Sequence, residues 1–388
     1  MHGRGGSNRQ PFRVRRGHGY RVIGWSRPRV ERGGRPPGLL RLGTLGLLFA
    51  TLAVGAGPVP RVARTAISVP LLDSPRVVAT VPVGTEPFGI AVNPLSGRVY
   101  VANRSDDTVS VIDPISNTVS ATISVGVYPM AVAVNPLTGR IYVANQNPEN
   151  AGPSSISVID PNSNKVIATI PVDWAPEALA INSLAGRLYV ASSPVQHPEP
   201  PGTVEVIDLN SNTVIKKITV GADPRSVAVN PISGRIYVGD VVDNNVRVID
   251  PNSGGLIATV PVGVDPTGLA VHPVTGRIYV ANFAAESDSV SVIDPNGNTV
   301  IATIPVGRGP HSVAVYPLTG QVYVANSNGF TGDPHPNPNT VSVIDSLTNT
   351  VTAYVPVGDE PYTLDVNPVS GVVYVANWRS NTVSVIGH

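Results

Sequence analysis

Apolar residues along most of this chain come in short bursts, each closed by Gly, Pro, Asn, Asp or Ser. Residues 131–172 show the pattern: AVAVN (131–135), RIYVAN (140–145), SISVID (155–160) and KVIATIPV (165–172). Between the first two lies NPLTG (135–139), and between the last two lies DPNSN (160–164). In such turns Pro presets φ, while Gly accepts a positive φ. The pattern predicts four short strands joined by tight turns.

The unit recurs. GRIYVAN at 139–145 returns intact at 276–282, with near-copies at 97–103, 186–192, 234–240, 320–326 and 371–377. The tyrosines of this phrase fall at 100, 142, 189, 237, 279, 323 and 374, so they are 42 to 51 residues apart. A four-stranded unit at that spacing is the signature of an all-β fold, the β-propeller.

The phase of the repeat predicts how the ring closes. The repeat region opens with VVATVPVG (77–84), a fourth strand without the first three, and ends with TVSVIGH (382–388), a third strand without a fourth. Joining the two gives seven blades, with 77–83 expected to pair with 382–387. An open solenoid would instead need capping repeats. Ring closure also removes exposed sheet edges. Face-to-face packing of blades predicts strands buried on both sides. In the first strands Ala91, Ala133, Ala180, Ala228, Ala270 and Ala314 alternate with bulkier residues, and Asp365 breaks the rule in the seventh.

Charge separates two parts of the chain. Residues 1–56 hold eleven Arg, no Lys and one acid, Glu31, leaving 16 basic and 25 acidic residues for 57–388. An acidic body argues against a nucleic-acid backbone as partner. With no cysteine, disulfides, thiolate metal sites and thiol nucleophiles are excluded.

LGTLGLLFATLAVGA (42–56) is uncharged and follows Arg41. It is short for a membrane span and fits the apolar core of an export signal, with cleavage expected near Ala56. An uncleaved anchor is the alternative, and the only expected membrane contact. The expected layout is 1–56 basic region plus signal peptide, 57–75 linker and 76–388 propeller, with extracytoplasmic localisation and a monomeric state.

YVAN at 100–103 and its copies, with TVSVIDP (108–114) and ATIPVG (302–307), resemble the YVTN-repeat propellers, which have Thr where Ala stands here. That family includes surface-layer and other exported proteins. The resemblance covers about 76–388 and implies adhesion, envelope architecture or ligand binding, with no shared catalytic residue.

Candidate chemistry sits where the repeat varies. After the recurrent Pro of the 4–1 connection stand Phe88, Met130, Glu177, Arg225, Thr267, His311 and Tyr362, all different within one framework. They are expected to ring the channel mouth as a ligand-binding surface. The 2–3 connections, expected on the same face, are long at 145–155, 191–203 and 325–340. They hold His197 with Glu199 and Asp333 with His335, two candidates each and too few for a metal centre. Trp174, Phe283, Phe330 and Trp378 belong to the same group of connections. Glu86, Asp223, Asp265 and Glu360 read first as turn residues. No nucleophile elbow, zinc-protease or phosphate-loop motif occurs, so no catalytic residue, metal or cofactor is expected. The reading is a non-enzymatic binding or envelope scaffold protein, with an envelope polysaccharide or a protein as partner. The alternative is an exported propeller enzyme of lactonase or lyase type acting at the mouth.

Overall fold

The computed structural model describes residues 74–387, except 148–152, 174, 195–200, 285–286 and 328–338. His197, Glu199, Asp333, His335, Trp174 and Phe330 lie outside the described residues. Within them, 28 strands form seven four-stranded antiparallel sheets arranged as a β-propeller.

Six blades are continuous in sequence, and the seventh is composite. Its outer strand is Arg76–Pro82, paired antiparallel with Thr382–Gly387. The register runs from Arg76 opposite Gly387 to Pro82 opposite Thr382, within a residue of the expected pairing. Val81 is 1% exposed and packs into the interface between the seventh and first blades, beside Tyr374 and Val99. Apolar burial and backbone hydrogen bonding therefore both close the ring.

The repeated phrase is the inter-blade contact. Each tyrosine of the phrase is at most 2% exposed. Tyr100 packs with Ile141 and Val143 of the next blade, and Tyr142 does the same with Leu188 and Val190. Side chains alternate across a strand. In VYVAN, Tyr and Ala thus face the following blade while the two Val face the preceding one. Seven interfaces of one kind require seven copies of the phrase.

The Asn of the phrase ties loops to the sheet. Asn103 Nδ2 donates to Ser110 Oγ of the third strand at 2.9 Å, and its Oδ1 accepts from Gly84 N at 3.1 Å. Any Cβ on Gly84 would come within 2.5 Å of the Asn103 side chain, so this position is restricted to Gly. The same Asn–Ser bond joins Asn145 to Ser157, Asn282 to Ser291, Asn326 to Ser342 and Asn377 to Ser384.

Two expectations change in detail. The second and third strands are buried on both sides, but the outer strands alternate exposed and half-buried residues because one side faces solvent. The inner strands start earlier than the apolar pattern predicts, at the Pro itself, as in Pro129–Val134.

Candidate mouth-cavity site

Because the inner strands start at the recurrent Pro, or one residue before it in the blade of Ala175–Asn182, the seven varied residues lie within those strands and not in free turns. The ladder between first and second strands slips just after each Pro: between Pro129 and Ala131, Pro224 and Ser226, and Pro310 and Ser312, for example. The residue in the slip is a β-bulge. A bulge leaves one residue unpaired and re-aims its side chain. Here that residue is the varied one, and all seven line a single cavity of about 470 Å³.

The bulges are held from the neighbouring loops. Pro fixes φ at the strand start. The residue before it takes a left-handed conformation at Glu86, Tyr128, Asp265 and Glu360, with φ of 51–54°. In five blades its N–H is accepted by an Asp or Asn side chain at the end of a 2–3 loop. The bonds are Glu86 to Asn381, Tyr128 to Asp107, Asp265 to Asn244, Gly309 to Asp288 and Glu360 to Asn339, at 2.9–3.3 Å. Those acceptors also have positive φ, which Asn and Asp tolerate best. Glu86, Asp265 and Glu360 are thus turn residues, as the sequence suggests. Glu86 pairs with Arg104 at 3.5 Å and Glu360 with Arg379 at 3.2 Å.

The residue after each bulge is small: Gly89, Ala131, Ala178, Ser226, Gly268, Ser312 and Thr363. Inner strands of adjacent blades approach each other here. A Cβ on Gly89 would lie 2.6 Å from the Met130 carbonyl oxygen, and one on Gly268 would lie 2.4 Å from that of His311. This ring of small residues is a signal that the repeat alignment contains but that a search for chemistry passes over.

One half of the cavity wall is aromatic. Phe88 and Tyr362 lie 3.9 Å apart between ring centroids, Tyr362 and His311 4.2 Å, and His311 and Phe283 4.3 Å. Burial pushes the His311 imidazole down to about 3, so it is neutral at physiological pH. Burial likewise pushes the Tyr362 hydroxyl up to about 12, leaving it a donor. Arg104 lies over the Phe88 and Tyr128 rings at 5.8 and 4.6 Å. It joins Gln146 and Trp378 beside Phe88, Met130 and Tyr362 in an adjoining space of about 290 Å³.

The other half is charged. Arg225 reaches Glu177 of the preceding blade at 3.5 Å and Asp223 at 2.9 Å. Burial raises the Glu177 carboxyl, with Arg225 opposing the shift. For Arg225, burial works against the charge, but Glu177 and Asp223 outweigh it and raise its pKa. Ser193 Oγ also donates to Asp223 at 2.6 Å. Thr267 Oγ1 is turned to the wall, donating to the Pro310 carbonyl at 3.2 Å. Arg104, Asp223 and Gln146 are the members of this region that variation at one position does not reveal.

Below the mouth the channel continues as a space of about 370 Å³ lined by the inner strands, with Asp365 on its wall. The geometry offers hydrogen bonding, one ion-pair network and an apolar wall. Among the described residues, no group of three or more His, Cys, Asp or Glu is placed to hold a metal ion.

No family model matches the chain. The PE-PGRS family protein PE_PGRS18 of Mycobacterium tuberculosis is 66% identical over 32 residues, which is 8% of this chain and 7% of that protein. Among solved structures, Kuenenia stuttgartiensis hydrazine synthase gives a TM-score of 0.65 at 22% identity, covering 79% of this chain and 97% of that one. A chain in the crystal structure of the mitotic checkpoint complex gives 0.68 at 16% identity, covering 89% and 99%. At these identities the likeness is one of fold.

Proposed function

We propose that this protein is a non-enzymatic, exported binding propeller of the YVTN-repeat kind, with its ligand seated in the mouth cavity. The observation that carries the reading is convergence: seven bulge residues, all different within an otherwise repeated framework, line one cavity of about 470 Å³. Cavities of roughly 300–1,000 Å³ with a few placed polar groups are typical of small-ligand sites. The aromatic arc and the Arg225–Glu177–Asp223 network together suit a polar, ring-containing ligand, and an envelope polysaccharide segment meets that description. His311 is neutral, stacks on Tyr362 and meets Phe283 in a tilted contact, an arrangement suited to a wall residue. Export rests on the apolar segment 42–56, and processing near Ala56 is checked by N-terminal sequencing of secreted material.

The test replaces Phe88, Arg225 and Tyr362 by Ala together. The melting transition should persist, while affinity for solubilised envelope polysaccharide, measured by calorimetry, should fall at least about tenfold. Unchanged affinity moves the site to the 2–3 loops. Turnover of a lactone or glycoside by the wild type, lost in the variant, would replace binding by catalysis.

A further inference from the structure

The face opposite the mouth carries an apolar surface that mouth binding does not use. Every 1–2 turn projects a bulky aliphatic side chain: Leu95, Leu137, Leu184 and Leu318, with Ile232, Val274 and Val369 in the other three blades. All are 61–81% exposed. The turn itself does not need them. Its geometry comes from the first residue, as where Asn93 Oδ1 accepts from Leu95 N and Asn135 Oδ1 from Leu137 N, and from a Gly with positive φ such as Gly97 or Gly139. Single exposed aliphatics are ordinary. Seven at equivalent positions around one end of a channel form a ring on one face, and apolar groups gathered on one face mark interaction surfaces.

The patch is level. First and second strands stay paired up to Val92–Val99, Val134–Ile141, Val229–Ile236 and Val366–Val373, so the turns leave the sheets at the same register. The varied 4–1 connections belong to the other face.

Charge also distinguishes the two faces. Arg98, Arg140, Arg187, Arg235 and Arg277 stand three residues beyond the aliphatic tips. Arg76, Lys165 and Lys216 share this face, against Asp113, Asp160, Asp208, Asp250, Asp294 and Asp345 of the 3–4 turns. Among the described residues these eight cations and six turn acids, of which Arg187 and Asp208 pair with each other, leave the face slightly basic, although residues 57–388 together carry an acidic excess.

The chain enters the ring on this same face. Arg76 lies opposite Gly387, and the outer strand runs from there toward the mouth. The residues leading into it are GPVPRVARTAISVPLLDSP (57–75), with Arg61, Arg64 and Asp73 beside Ile67, Val69, Leu71 and Leu72. Basic and aliphatic residues together suit a bilayer interface.

We infer that this face docks on a lipid bilayer. The seven aliphatic tips enter the interfacial region, the neighbouring guanidiniums lie at phosphate level, and the mouth is turned to solution.

The test is flotation of the chain beginning at Gly57, which retains the whole closed ring, with phosphatidylcholine vesicles containing phosphatidylglycerol. The chain should co-float. Replacing Leu95, Leu137, Leu184 and Leu318 by Ser together should weaken partitioning at least about tenfold without shifting the melting temperature. The Phe88/Arg225/Tyr362 triple variant should float like the parent. The absence of native cysteine allows a second measurement that does not depend on the quadruple variant. An environment-sensitive probe on Leu184→Cys should shift to the blue on vesicles, and one on Thr85→Cys, on the mouth face, should not. Failure of the parent to float, equal flotation of the quadruple variant, or a shift at 85 and not at 184 overturns the inference. So does a lipid-independent dimer of the parent that the quadruple variant abolishes, which would assign the face to a second copy.

Discussion

Asp365→Asn tests whether the channel wall sets the pH dependence of this ring. Asp365 occupies a position held by Ala in the other six blades. It faces the lower channel and accepts from Val92 N across the blade boundary and from Val366 N, both at 2.8 Å. Burial opposes its charge more strongly than these two bonds favour it, and its pKa is pushed from 3.8 up to about 6. The folded chain therefore retains a proton that the unfolded chain has lost within this interval. The stability this group contributes is complete below about pH 4 and disappears as pH rises through about 6. A rise of roughly two units corresponds to about 3 kcal/mol. Asn keeps the size and an acceptor oxygen for Val92, but it cannot ionise. The variant should match the parent near pH 4 and exceed it by about 3 kcal/mol near pH 7. Denaturant midpoints for both proteins across that range provide the measurement. The turn aspartates Asp113, Asp160, Asp208 and Asp250, whose pKa values are lowered chiefly by backbone hydrogen bonds, give the opposite slope. They are common to both proteins and cancel in the difference. A difference that stays constant with pH, or a parent more stable than the variant at pH 7, would refute the reasoning.

Two further changes test the architecture. Removing residues 57–83 takes Val81 from its interface and exposes the Thr382–Gly387 edge. Val81 alone accounts for about 1.5–3 kcal/mol, and calorimetry with light scattering should show loss of the cooperative monomeric transition; an unchanged transition contradicts closure by this strand. Gly268→Ala places a Cβ 2.4 Å from the His311 carbonyl oxygen and 2.9 Å from the Ser312 Cα. Backbone must move, at a cost of about 1–3 kcal/mol in denaturant unfolding; a neutral result would mean that the inner strands are not in close contact there.

Much of the fold is local enough to be legible in the chain. Asn, Pro and Gly mark the turns, and the period of the phrase sets the blade count, because each turn is closed within a few residues and each blade repeats the same interface. Even the offset closure is visible, since an orphan fourth strand at one end matches an orphan third strand at the other. The identities around the mouth were legible for a related reason: positions buried between blades are pinned by packing, so a varying residue inside a constant frame stands out. What the sequence could not supply is the means by which those residues converge. Phe88 and Tyr362 are 274 positions apart in number yet their rings lie 3.9 Å apart, because only the closed ring makes the first and seventh blades neighbours. The bulge that aims each mouth side chain, the loop carboxamides and carboxylates that hold it, and the Arg225–Glu177 pair across two blades depend on register and distance. Residue type alone leaves both undetermined. The ring of aliphatic turn tips is the same case: each is one ordinary side chain in sequence, and only tertiary structure places the seven on a single face.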